Sequence, residues 1–372
     1  MNEHKVAAAI VTYNRLELLK ESLTAVLNQS DYLSHVIVVN NQSTDGTGDY
    51  LASLKDPRVV VYNAPENLGG AGGFNQAVRL FMEETADDYV WLMDDDTIAQ
   101  PDALKYLIEF LQTNPKVGFV NSQVRWGSVQ GNSSWMNVPA PRAFTWQNKM
   151  ISNNPGIEVV NSTFVSVLFA RSTVAMVGLP QKEYFIWGDD MEYTNRIARI
   201  NPGYTVLNSI VVHKSKENSI PGDIVSERDA KRLWRYDYEY RNRVLTARRV
   251  CKKELVRILV KAVLVDLRKV ILGHDIKFRG KKIKMILGGL MRGIQFKPVI
   301  EYPNTPRNYD VRSIQRIAAA GYLAFPDLTH SIDQDLEFIE RYELDDLKGN
   351  TAAADQFIAD YDASVVQAEA NN

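Results

Sequence analysis

The chain has 372 residues, 45% hydrophobic and 24% charged, the balance of a soluble globular protein rather than a disordered, collagen-like or disulfide-scaffold chain. Forty-three Lys and Arg stand against 45 Asp and Glu, a net charge of −2, so no global basic field points to nucleic acid and no nucleic-acid partner is expected. The single cysteine, Cys251, can form neither an internal disulfide nor a Cys-based zinc site, which fits a reducing compartment.

The length predicts two or more domains. The N-terminal stretch MNEHKVAAAIVTYNR has too short an apolar run for a signal peptide or anchor, and no run reaches the ~18 apolar residues of a membrane span. A cytoplasmic location is therefore expected. Val6–Thr12 reads as a buried strand, Arg15–Gln29 as a helix with Leu16, Leu19, Leu23, Val26 and Leu27 on one side, and His35–Asn40 as a second strand. Gly46–Leu54 (helix), Arg58–Tyr62 (strand), Gly73–Glu84 (helix) and Tyr89–Met93 (strand) follow, and the last strand runs straight into Asp94-Asp95-Asp96. This alternation predicts an α/β fold whose mostly parallel sheet carries helices on both faces. Ligands of such sheets bind beyond the carboxyl ends of the strands, where Asn14, Asn40, Asn41 and the Asp triplet fall.

From Pro115 to about Val212 the pattern is mixed, with short strands at Gly118–Val124, Val159–Phe169 and Thr205–Val212. A helix over Arg228–Cys251 carries the run WRYDYEYRNR, which suits a surface for stacking on nucleic acid, for sugar binding or for a membrane interface, or a helix packing its aromatics inward. Between Arg248 and Lys297 there are 15 Lys or Arg and three acids, beside one apolar helical side. From Asp327 to Asn372 the sign inverts, with 12 acids against Arg341 and Lys348, and the last ~20 residues look frayed.

Three adjacent carboxylates at a strand end repel one another unless a cation compensates them. They suit a divalent metal such as Mg²⁺ or Mn²⁺ bridging to phosphates; the plainer alternative is that Asp96-Thr97 cap a helix around Pro101–Gln112. Trp187-Gly188-Asp189-Asp190-Met191-Glu192 opens a helix over Met191–Ile200 and offers either a buried general base or N-capping carboxylates. His213 ends a strand, as the triplet does, and could ligate the same metal. Asn67-Leu68-Gly69-Gly70-Ala71-Gly72-Gly73-Phe74-Asn75 reads as a glycine-rich turn before a helix, where anions are attracted, yet it is no Walker A loop.

AIVTYNR, VVNNQSTDGT, NLGGAGGFN, WLMDDD and FIWGDDMEY, followed by His213, together resemble the inverting family 2 glycosyltransferases of GT-A fold, over roughly Lys5–Arg243. NLGGAGGF with DDD, WGDD and the downstream His is similar to the galactofuranosyltransferase branch, with rhamnosyltransferases as near relatives. The resemblance implies a catalytic domain over residues 1–243, and the charge pattern divides the rest into a basic helical region at 244–325 and an acidic tail at 326–372. It implies that Thr12, Tyr13 and Asn14 lie against nucleotide base and ribose, with Asn40 or Asn41 accepting from the base where relatives carry an acid. Asn67, Gly70, Gly72 and Gly73 would border the donor sugar and diphosphate, Asp94 and Asp95 the ribose and phosphate, and Asp96 with His213 the Mn²⁺ or Mg²⁺. Asp190 matches the base that deprotonates the acceptor, with Trp187 and Asp189 shaping the acceptor pocket.

The expected activity is inverting transfer of galactofuranose from its uridine diphosphate donor to a glycan or lipid-linked glycan acceptor of a surface polysaccharide. The alternatives are rhamnosyl transfer from a thymidine diphosphate donor, a non-catalytic glycan- or nucleotide-binding module, and a nucleotidyltransferase. The last would want a basic glycine-rich loop where this chain has TYNRLE. The basic segment suggests docking on the anionic inner face of the plasma membrane, with pairing to the acidic tail, within the chain or in a homo-oligomer, as the competing idea.

Overall fold

The computed structural model describes residues 4–29, 32–114, 117–129, 135–142, 155–216, 218 and 223–304. These fall into two units. The first takes those within Met1–Lys182, Asp190–Asn218 and Glu301–Pro306, and the second those within Glu183–Asp189 and Ser219–Ile300.

In the first unit β1 (Val6–Thr12), α1 (Leu16–Leu27), β2 (Leu33–Asn40), α2 (Thr47–Ser53), β3 (Val59–Asn63), α3 (Gly69–Glu84) and β4 (Tyr89–Asp94) alternate as the apolar periodicity requires. Then come β5 (Thr97–Ala99), α4 (Ala103–Thr113), β6 (Phe119–Trp126), β7 (Gly156–Val159), β8 (Ser166–Ala170), α5 (Arg171–Val177), α6 (Asp189–Ala198) and β9 (Gly203–His213). The sheet order is β3-β2-β1-β4-β8-β6-β9-β5, with β7 also on β9. Its first four strands are parallel and the remainder mixed.

β1 is buried along its whole length because both faces are covered. Val6, Ala8 and Ile10 pack in one core with Leu19, Leu23 and Val26 of α1 and Leu104, Leu107 and Ile108 of α4. The opposite face meets α3 so closely that a Cβ on Gly73 would lie 2.4 Å from Val11 Cγ1. The parallel register sets Thr12 beside Asn40, Asn40 beside Asn63, and Val11 beside Asp94, so the strand ends line up at one rim.

Three sequence expectations change. The stretch expected as a glycine turn is mostly the start of α3, since Gly69–Gly73 are helical and the small residues admit β1. Asp96-Thr97 do not cap the next helix: Thr97 opens β5, and Asp102 stands at the N-cap of α4. The single strand expected over Val159–Phe169 is two, β7 and β8, on different partners.

The second unit holds α7 (Trp234–Val250), α8 (Lys252–Val260), a π-helical turn (Lys261–Leu267), α9 (Arg268–Leu272), α10 (Arg279–Gln295) and the segment Glu183–Asp189. Its core joins Leu233, Tyr236, Tyr240 and Val244 of the α7 stretch to Ala262, Val270, Ile286 and Leu290. The expected boundary at Arg243 therefore falls inside a helix whose buried face runs through it. The WRYDYEYRNR run packs Tyr236 and Tyr240 into this core and stacks Tyr238 on Phe185 at 5.2 Å, the inward-packing alternative. The acidic tail at 326–372 and the fraying expected at its end lie outside the described residues, as do residues 305–325 of the basic region.

Candidate active site

Asp94 closes β4, and Asp95 and Asp96 form the turn that leads into β5. The antiparallel β5–β9 pair sets Thr97 opposite His213, and Lys214 N donates to the Asp96 carbonyl at 2.8 Å. This delivers His213 to the triplet. One ligand atom each from Asp94, Asp96 and His213 lies within 4.8 Å of the others.

Asp96 Oδ1 is buried and 3.0 Å from His213 Nε2, yet it has no partner with hydrogen-bond alignment. On the far side of the ring, Nδ1 lies 3.0 Å from Asn137 Oδ1, an acceptor, so in the neutral ring Nδ1 carries the hydrogen and Nε2 keeps its lone pair on the Asp96 side. Two lone-pair atoms converging in a buried place, with Asp94 beside them, fit a divalent cation of the Mn²⁺ or Mg²⁺ kind. Burial disfavours ionisation of Asp96, but His213 and Arg15 outweigh it and hold its pKa below the ordinary value. Burial would likewise lower His213, but Asp96 and Asp94 raise it, so the site already draws a cation towards Nε2. Asp94, which the resemblance puts on the ribose side, is thus gathered with Asp96 and His213, its pKa pushed up to about 6 by burial and by the charge on Asp96.

Asp95 has partners of its own. Thr12 Oγ1 donates to its Oδ2 at 2.8 Å, Tyr13 N at 3.3 Å, and burial lifts its pKa to about 7 against the pull of Arg15. Arg15 was part of TYNR but carried no expected role; its Nη1 lies 3.2 Å from Asp95 Oδ1 and 2.5 Å from Asp96 Oδ2. Its side chain is 49% exposed, so it neutralises the triplet while remaining open to a phosphate. A cation directly after a strand that shares a rim with a DDD strand was the available signal. Asn137 had none, because a loop brings it to His213 across 76 positions.

The asparagines are braces. Asn14, at φ 53°, accepts from Thr44 N at 2.7 Å, while its own N–H donates to Ser43 Oγ. Asn40 donates to Asn63 Oδ1 and accepts from Ser43 N. Asn41 is buried, accepts from Leu68 N at 2.8 Å and donates to Asn67 Oδ1 and the Gly69 carbonyl. Both amides are thereby engaged in tying the β2 end to its neighbours. Gly72 and Gly73 face Leu68 and Val11, whereas a Cβ at Gly70 would meet open space, so Gly70 is the glycine with room beside it.

Asp190 lies in α6. Burial lifts its pKa to about 6, although Oδ1 accepts from Met191 N at 2.7 Å, and its charge contributes to the raised pKa of Asp94. Glu192 is instead committed to a buried ion pair with Arg196 at 2.8 Å, whose guanidinium also donates to the Val177 and Leu179 carbonyls. Trp187 and Asp189 belong to the second unit. There Trp187 adopts φ 63° before Gly188 at φ 93°, its carbonyl accepts from Asn242 Nδ2 at 2.8 Å, and its ring meets Tyr236 edge-on.

Residues 8–173 match the sequence profile of Glycosyl transferase family 2. That region is a family 2 glycosyltransferase domain. The chain is 31% identical over 203 residues to galactofuranosyltransferase GlfT1 of Mycobacterium tuberculosis, covering 52% of this chain and 64% of that protein. It is 30% identical over 117 residues to the poly-beta-1,6-N-acetyl-D-glucosamine synthase of Staphylococcus aureus, covering 31% and 27%. The chain thus spans less than two thirds of the curated relatives it matches. Among solved structures it resembles GalNAc-T7 with UDP, GalNAc and Mn²⁺, at a TM-score of 0.52 and 14% identity, over 77% of this chain and 55% of that one. That likeness is one of fold: the domain is GT-A-like. No described helix is long and apolar enough to cross a membrane.

Proposed function

We propose that the chain is a metal-dependent inverting glycosyltransferase that moves galactofuranose from UDP-galactofuranose onto a glycan, carried on lipid, of a surface polysaccharide. The observation that carries this reading is the division of carboxylates into two sets. Asp94 and Asp96 gather at His213, while Asp190 is outside that cluster, near enough for its charge to act on Asp94, and is a half-buried acid with a pKa of about 6. A base near neutrality is what deprotonation of a sugar hydroxyl calls for.

In the proposed reaction the acceptor O–H gives its proton to Asp190. The acceptor oxygen bonds to the anomeric carbon, and the bond to the nucleoside diphosphate breaks on the opposite face, which inverts the configuration. A divalent cation held by Asp94, Asp96 and His213 would offset charge on the departing diphosphate. Arg15 adds a fixed positive charge beside it, and Thr12 keeps Asp95 oriented at the rim where Tyr13 and Asn14 border the nucleoside. Asn41 and Asn67 fix the backbone at Leu68–Gly69, so that Gly70 can border the donor sugar. Trp187 and Asp189 are assigned to the acceptor. The choice of galactofuranose is supported by the NLGGAGGF, WGDD and His213 set together with the GlfT1 relative.

The test is release of nucleoside diphosphate with Mn²⁺ across UDP-galactofuranose, UDP-N-acetylglucosamine, GDP-mannose and dTDP-rhamnose, followed by the anomeric configuration of the product. Preference for UDP-galactofuranose with inversion supports the reading. Preference for dTDP-rhamnose moves the chain to rhamnosyl transfer, and binding without turnover of any donor, with acceptor present, makes it a binding module.

A further inference from the structure

Among the described residues, the second unit carries a surface that its core does not use. Along Lys252–Leu272 one set of apolar residues faces inward: Leu255 and Leu259 pack against the unit's core, and Ala262 and Val270 are buried in it. A second set, Val256, Val260, Val263, Leu264 and Ile271, recurs at three- and four-residue steps and faces out. Val256 is 58% and Leu264 62% exposed, and Leu272 at the end reaches 66%. Exposed Lys252, Lys253, Arg257, Lys261, Arg268 and Lys269 accompany it, against Glu254 and Asp266. Arg257 pairs with Glu254 and Lys261 with Asp266, which leaves a net positive stretch. α10 repeats the pattern, with Leu287, Met291 and Ile294 exposed (Met291 at 70%) among Lys281, Lys284 and Arg292.

An apolar stripe on a helix costs solubility unless something covers it, and its basic flanks select what does. We infer that this surface docks on an anionic lipid bilayer, with Val256, Val260, Leu264 and Ile271 entering the headgroup boundary and the flanking Lys and Arg meeting lipid phosphates. A span is excluded for these helices, which are too short and too charged to cross. The charge argues for lipid over a neutral protein partner: from Arg248 to Lys297 there are 15 basic residues and three acids. The inference is independent of which sugar the first unit transfers, although it would bring the chain to the layer where a lipid-carried acceptor resides.

The test is co-sedimentation of the full chain with vesicles of phosphatidylcholine alone or mixed with phosphatidylglycerol. Binding is expected only with phosphatidylglycerol, falling as salt rises because exposed charges are screened over about 10 Å at 0.1 M. The variant V260D/L264D should lose partitioning at least about tenfold, and K253E/R257E should lose about fivefold or more per charge removed. Circular dichroism and donor hydrolysis, read in solution, should remain at wild-type levels; if one variant misfolds, the other carries the test. Failure of the wild-type chain to bind anionic vesicles at low salt overturns the inference. So does undiminished binding by both folded variants, or loss of self-association in V260D/L264D while vesicle binding persists, which would assign the stripe to a second copy.

Discussion

Asp190→Asn keeps the shape of the side chain and its hydrogen bond from Met191 N, and removes basicity alone. Loss of a positioned base lowers transfer by roughly 10²–10⁴-fold. Donor binding, measured by saturation-transfer NMR with UDP-galactofuranose, should persist, because the donor's cation and phosphate groups are assigned to other residues. The wild-type pH profile makes the sharper test. The base works deprotonated, and burial raises its pKa to about 6, so activity should be level above that pH and fall about tenfold per unit below it. An ordinary carboxylate, near about 3.9, would leave the rate flat to about pH 5. Burial also lifts Asp94 to about 6 and Asp95 to about 7, so the limb is assigned by comparison at saturating Mn²⁺: the residual activity of Asp190→Asn should lose it, whereas a limb owed to Asp94 or Asp95 would persist. A flat profile from about pH 5 upward, or near-normal transfer by folded Asp190→Asn protein, would refute the assignment. Glu192 would not inherit the role, since its buried pairing with Arg196 leaves it facing a guanidinium.

Asp96→Ala should abolish turnover and weaken donor binding only when Mn²⁺ or Mg²⁺ is present, and full activity after chelation would remove the metal from Asp96 and His213. Asn137→Ala frees the His213 ring to change tautomer, so Mn²⁺ affinity read by electron paramagnetic resonance should fall about 10–100-fold, with the melting temperature little changed. Gly73→Ala places a methyl group 2.4 Å from Val11 Cγ1, and the repacking should cost about 1–3 kcal/mol, seen as a lower midpoint in urea.

Much of the first unit was legible because its strands are continuous apolar runs and its helices carry leucines at helical steps. β1 was read to the residue, and β2, β3 and β4 to within two residues at either end. Their carboxyl ends had to form a rim, so the triplet and the asparagines were correctly placed there. FIWGDDMEY was legible as a helix start carrying two adjacent carboxylates, and Asp190 in that helix has its pKa lifted to about 6 by burial.

What the linear pattern could not carry is what pairing decides. Nothing in the spacing of Asp96 and His213 says that a three-residue strand will set them 3.0 Å apart; only the β5–β9 register does that. The same holds for Asn137, which reaches the imidazole from a loop, and for Arg15, whose role appears only when β1 and β4 lie side by side. Glycines permit both a turn and close packing, and it was the distance from Gly73 to Val11 that chose packing. Periodicity showed that Lys252–Leu272 has an apolar side, but two apolar sides exist there, and tertiary contact alone determines which is core and which faces out. Local sequence fixes which elements can form, because propensity and periodicity act within a few residues. Which distant side chains meet depends on sheet register and helix packing, which settle only when the whole core closes.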